Sequence, residues 1–139
     1  MSPRQHNQSE HNASALLFAM IFKFVPDAFH RFDQFFATSH FLILPARAEA
    51  FGVVLCEANS FGLPCLATTV GGIPTIIRDG VNGRLFPPED PQAIATAVRA
   101  IYADQAAYAS LAESSFREYE ARLNWRVAGQ TVRRLLESL

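Results

Sequence analysis

Charge is scarce in this chain: 18% of its 139 residues are Asp, Glu, Lys or Arg, and the formal net charge is −1. No basic block stands out, so nothing in the composition points to a nucleic-acid partner. Cysteine is scarcer still. Cys56 and Cys65 sit among apolar neighbours in a predicted helix and a predicted strand, which reads as two buried reduced thiols of a cytosolic protein rather than a disulfide. The apolar run from Ala13 to Val25 is broken by Lys23 and is shorter than the roughly 20 residues of a membrane span. As a secretory leader the same run lacks a basic start, follows Glu10, and has no small-residue cleavage site after it. His6 and His11 are accompanied by no carboxylate or cysteine cluster, so no metal site is expected. Repeats and linkers are absent as well.

What remains is a chain that is half apolar and long enough for one domain with its own core, since a domain near this size buries roughly 70% of its unfolded surface. Residues 1–25 form an N-terminal segment with a polar start, and 26–139 form the domain. Pro26-Asp27 opens a helix running to about Thr38, with Phe29, Phe32, Phe35 and Phe36 at core-type helical spacing. Phe41-Leu42-Ile43-Leu44 reads as a strand covered on both faces and stopped by Pro45. A helix from Val53 is closed by Gly62, and a strand follows from Pro64 to Thr69. Ile76 to Asp79 reads as a helical turn ended by Gly80, before a strand at 84–86. Asp90 caps a helix at about 91–103 with Ile94, Ala97, Val98 and Ile101 on one stripe. A second helix spans Gln105 to Glu120. A third opens at the cap Asn124 with Val127, Val132, Leu135, Leu136 and Leu139 on one stripe. The fold class is α/β: a partial Rossmann-like sheet of about three parallel strands flanked by helices, with a helical C-terminus.

The chemistry concentrates in the loop between the first strand and the next helix, at the carboxyl end of a strand, where ligands collect in open α/β sheets. The start of that helix offers backbone N–H groups and a positive dipole end to an anion. Glu49 and Glu57 frame it with seven residues between them. Glu57 falls one turn into the helix, roughly 5 Å along the axis from an anion at its start. That offset matches the separation of a diphosphate from its ribose, and a carboxylate accepts from two vicinal hydroxyls while repelling a phosphate.

Glu49-x7-Glu57, Glu-Ala-Phe-Gly at 49–52, Phe-Gly-Leu-Pro at 61–64 and Val-Gly-Gly-Ile-Pro at 70–74, in that order, resemble the nucleotide-sugar-binding half of retaining glycosyltransferases of the GT-B fold, particularly glycosyltransferase family 4. The resemblance runs from about Asp33 to Leu139, with the Asn-Trp pair at 124–125 part of it. It implies transfer of a hexose from a nucleoside diphosphate sugar to an acceptor with retention, with no cofactor and no obligatory metal. It implies that Glu57 holds the ribose hydroxyls and that Glu49, the catalytic candidate, sits by the donor sugar near its anomeric centre. Phe51, Gly52, Val53 and Val54 would act on sugar and diphosphate through their backbone N–H groups. Gly71 and Gly72 stand between a plain turn and the wall of the cleft.

The sequence departs from the family in several places. Ala50 stands where Gly is common, Thr75 replaces an acidic residue after the Pro, and Leu16 to Val25 lacks the glycines of a family strand. The Arg/Lys pair that neutralises the diphosphate and the N-terminal domain that holds the acceptor have no counterpart here; Arg47 is read as a solvated loop residue. The chain is therefore expected to be incomplete and poorly active alone, needing the missing domain or a partner chain, in the cytoplasm or at the membrane periphery. The alternative is a non-catalytic nucleotide-sugar-binding or assembly module that self-associates through residues 124–139.

Overall fold

The computed structural model describes residues 29–139, with side chains from residue 33. The expectations for residues 1–25, for the helix start at 26–28 and for the side chains of Phe29 and Phe32 lie outside the described residues. The chain divides into two units, residues 1–35 and 36–139. The elements are α1 (Phe29–Thr38), β1 (Leu42–Leu44), α2 (Val53–Ser60), β2 (Cys65–Thr68), α3 (Ile73–Ile76), β3 (Gly83–Phe86), α4 (Pro91–Ala103), α5 (Gln105–Arg122) and α6 (Trp125–Glu137). The strands form one parallel sheet in the order β1-β2-β3, with Leu42 opposite Cys65 and Cys65 opposite Gly83.

The central strand β2 is buried along its whole length. Its alternating side chains serve two helical layers. Leu66 packs with Phe86 and Ile94, the α4 stripe expected from Ile94, Ala97 and Val98. Cys65 faces α2, where its sulfur meets Asn59. Glycine at 83 is required for this pairing, because a Cβ there would lie 2.0 Å from the Cys65 carbonyl oxygen. Among the described residues no helix is long and apolar enough to cross a membrane.

Several expectations are corrected. β1 is not covered on both faces: Ile43 is 37% exposed, and among the described residues β1 is the edge strand of the sheet. Phe36 is buried, but Phe35 is 45% exposed, so the aromatic stripe is not wholly core. The helical turn lies at Ile73–Ile76 rather than 76–79. Gly72 caps it, Pro74 favours its first turn, and Ile77 is already extended. The Arg78 N–H is instead taken by the side chain of Asn82 at 2.7 Å. Gly62 (φ 66°) closes α2 as expected, α5 runs two residues further, to Arg122, and α6 starts at its Asn124 cap. Cys65 is fully buried and Cys56 only partly; both are free thiols. Burial raises both thiol pKa values, with the Arg122 charge partly opposing the shift at Cys56.

A buried amide pair fastens α2 to the sheet. Asn59 and Asn82 are both fully buried. Asn82 Nδ2 donates to Asn59 Oδ1 at 2.6 Å and to the Ile76 carbonyl at 3.0 Å, while Asn59 Nδ2 donates to the Leu63 carbonyl at 3.2 Å. Each amide satisfies backbone groups that have no other strand or helix partner in the 61–82 connections. Asn82→Ala leaves Asn59 and the Arg78 N–H without these partners, and should cost about 3 kcal/mol of unfolding free energy in urea denaturation. A loss under ~0.5 kcal/mol would mean that the pair contributes little net.

Candidate functional site

Three connections meet at the carboxyl ends of the strands: 45–52 after β1, 69–72 after β2 and 87–90 after β3. They are tied to one another by a few contacts. Thr68, the last residue of β2, donates its hydroxyl to the Ala46 carbonyl at 2.6 Å. The Gly72 N–H donates to the Glu49 carbonyl at 3.3 Å. Arg47 pairs with Glu89 at 3.0 Å between two exposed side chains, a contact worth little by itself in water. Glu89 adopts φ 65°, and it is the one non-glycine residue with positive φ among the described residues. Ala50 therefore avoids the left-handed region, and its methyl group is tolerated where the family commonly has glycine.

The loop turns sharply into α2. Gly52, with φ 80° and ψ 47°, is the N-cap in the left-handed conformation and provides no side-chain cap. The carboxylate of Glu49 supplies that function: its Oε1 accepts from the N–H groups of Gly52 at 3.1 Å and Phe51 at 3.3 Å. A carboxylate at the positive end of a helix is favourable on charge as well as on hydrogen bonding. The N–H groups of Val53 and Val54 come next and precede the first intrahelical acceptor reached by Leu55, the Gly52 carbonyl. Phe51 and Val53 expose their side chains, 53% and 44%. Glu57 stands one turn into α2, half-buried.

Gly71 and Gly72 are decided by contact rather than by turn chemistry. A Cβ on Gly71 (φ 52°) would sit 1.6 Å from the Glu49 carbonyl oxygen, and one on Gly72 would sit 2.5 Å from that of Ala50. The two glycines are a backbone wall pressed on residues 49–51. The structure thus brings Glu49, Phe51, Gly52, Val53, Gly71 and Gly72 together, with Glu57 on the same helix. Thr68, Asn59 and Asn82 support this loop and helix without any motif to announce them; a Thr ending a buried strand was the one signal available.

Residues 7–118 match the family model of glycosyl transferases group 1. The chain belongs to this family. The match takes in the motifs at 49–57, 61–64 and 70–74. The D-inositol 3-phosphate glycosyltransferase of Geodermatophilus obscurus is 31% identical over 125 residues, covering 89% of this chain and 26% of that protein. Among solved structures, HepE of Anabaena in complex with UDP superposes with a TM-score of 0.70 at 27% identity, over 76% of this chain and 29% of that one. The C-terminal domain of the glycosyl transferase group 1 family protein LpcC from Francisella tularensis shares the fold at 21% identity, with a TM-score of 0.66 over 89% of this chain and 66% of that domain. The chain thus spans about a quarter of the length of the Geodermatophilus obscurus relative. Its three parallel strands, flanking helices and helical C-terminus are those of GT-B glycosyltransferase structures, and a C-terminal fragment of such an enzyme fits the matches.

In this group 1 chain, Gly71→Ala should keep the sheet but displace the 49–52 loop. A left-handed non-glycine residue alone costs ~1–3 kcal/mol, and the clash adds to it. The check is amide chemical shifts: large changes at 49–53 with those of Leu66 and Ala67 unmoved are expected, whereas unmoved loop signals would contradict the wall.

Proposed function

We propose that this chain is the donor-binding part of a retaining glycosyltransferase that moves a hexose from a nucleoside diphosphate sugar to an acceptor. The observation that carries the reading is the start of α2: Glu49 and the 51–54 N–H groups at the carboxyl ends of the strands, with Glu57 one turn on. The diphosphate lies against the Val53 and Val54 N–H groups, where no side chain is needed and the helix dipole adds to the attraction. Glu57 accepts from the two ribose hydroxyls. The Glu49 carboxylate, oriented by the N–H groups of Phe51 and Gly52, accepts from a sugar hydroxyl. UDP bound to HepE supports a uridine donor among the candidates. Departure of the phosphate needs positive charge, which the α2 start supplies through its backbone dipoles. The missing N-terminal domain or a partner chain completes the site, and the chain alone turns over poorly. No metal or cofactor is assigned.

The expected result of a ¹⁵N titration with UDP-glucose, GDP-glucose and ADP-glucose is one saturable ligand, with shifts confined to 49–57 and a Kd near the millimolar range, about −4 kcal/mol. Glu57→Ala should weaken that ligand tenfold or more, since two hydrogen bonds to a charged acceptor are worth ~1.5–3 kcal/mol each. Equal binding by the variant would remove Glu57 from the ribose.

A second reading is an assembly module, and α6 is the surface it would use. Trp125, Val132, Leu135, Leu136 and Leu139 are exposed, while Val127, expected on the same stripe, is half-buried on another face. An exposed row of this kind marks a surface that another domain, or a second copy, covers. Sedimentation of the chain alone should show concentration-dependent self-association that Leu135→Glu with Leu136→Glu abolishes; a monomer at all concentrations would reject self-association.

A further inference from the structure

Arg122 is the last residue of α5 and lies far in sequence from the motifs at 49–74, yet it is held more tightly than a surface arginine. Its Nε bonds the Glu118 carboxylate, and the two side chains are only 21% and 14% exposed. Its NH1 donates to the Thr75 carbonyl at 2.9 Å and its NH2 to the Ile76 carbonyl. Glu118 in turn meets Arg78 at 3.3 Å. Three donors of one guanidinium are thus spent on two backbone carbonyls and one carboxylate, a geometry that a lysine cannot reproduce.

The two carbonyls are the carbonyl end of α3. A four-residue helix is about 6 Å long and is not self-supporting, so its partners set its position. At its far end the partners are Arg122 and the Asn82 amide, which both reach Ile76. At its near end they are Gly72, whose N–H bonds the Glu49 carbonyl and whose own carbonyl takes the Thr75 hydroxyl at 2.6 Å. The cation also stands close enough to α2 for its charge to act on Cys56, next to Glu57.

We propose that Arg122 is a positioning residue for the donor site: by pinning the carbonyl end of α3 it keeps the Gly71–Gly72 wall seated on the loop that carries Glu49. Its functional meaning rests on the donor reading above, but the pinning itself does not. The alternative is an ion pair that adds only to general stability.

Amide hydrogen exchange of the full chain without nucleotide separates the two. In Arg122→Ala the amides of Gly72, Phe51 and Gly52 should exchange at least about tenfold faster, as a local opening, with Leu66 and Ala67 unchanged. Arg122→Lys should fall between that variant and the wild type. The Kd for UDP should rise about tenfold in Arg122→Ala, as expected when a preorganised loop is lost. Equal acceleration of all amides, or none at the three, would overturn the proposal. If Arg122→Ala does not fold, Arg122→Lys and Glu118→Gln decide it on the same amides. Failure of the wild-type chain to bind UDP would reject a uridine donor, and failure with the GDP and ADP sugars as well would reject the donor reading; either leaves exchange to judge the pinning.

Discussion

Two stretches of backbone touch with no side chain between them where Gly71 and Gly72 lie against residues 49–51, and the geometry of the site depends on that contact. The Glu49 carbonyl occupies the space of a Cβ on Gly71. With the wall in place, the 45–52 connection is held at Ala46 by Thr68, at Glu49 by Gly72 and at Gly52 by its own left-handed turn. Only then does the Glu49 carboxylate face the N–H groups of Phe51 and Gly52. A loop closing on itself in this way bears the ordering entropy during folding rather than at ligand binding, which is what preorganisation means in energy terms.

The supports of this contact come from distant parts of the chain. Asn82 and Arg122 converge on the Ile76 carbonyl, one from the turn before β3 and one from the end of α5. Asn124 then sets where α5 stops: its Nδ2 donates to the Tyr119 and Glu120 carbonyls while its Oδ1 accepts from the Val127 N–H and starts α6. A single amide ends one helix and begins the next, and so fixes the residue from which Arg122 reaches back to α3.

Much of this was readable in advance, and the division is physical. The helix starts near 53, 91 and 125 follow from local signals: Asp90 does accept from the Ala93 N–H, and Asn124 from that of Val127, while the last helix ends at Glu137 rather than Leu139. That the 49–52 loop meets the 71–72 glycines was readable because the motifs keep their order. What was not legible is non-local. The exposure of Ile43 depends on what packs over β1, the edge strand among the described residues, and the register of α3 depends on the Asn82 side chain rather than on residues 76–79. Asn59 and Asn82 are 23 residues apart, and no pattern in a single sequence relates two such amides. The displaced Val127 is a matter of phase: five residues before Val132, it lies about 140° away on a 3.6-residue helix.

The charge around the site argues for a division of labour within a larger enzyme. A diphosphate brings negative charges to α2, where Glu49 already holds one that faces the first N–H groups. Against this the helix dipole offers ~0.3–1 kcal/mol in an exposed setting, well short of the roughly 4 kcal/mol that even millimolar binding requires. Arg47 is engaged by Glu89 on the exposed rim, and Arg122 is committed to carbonyls and Glu118. In the proposed donor site the described residues would supply the shape and the acceptors for hydroxyl groups, while leaving most of the phosphate charge uncompensated. Positive charge added from another segment would then raise affinity and assist phosphate departure through the same contacts, so a shaped but under-neutralised half-site is the part of such an enzyme that gains most from closure onto the rest.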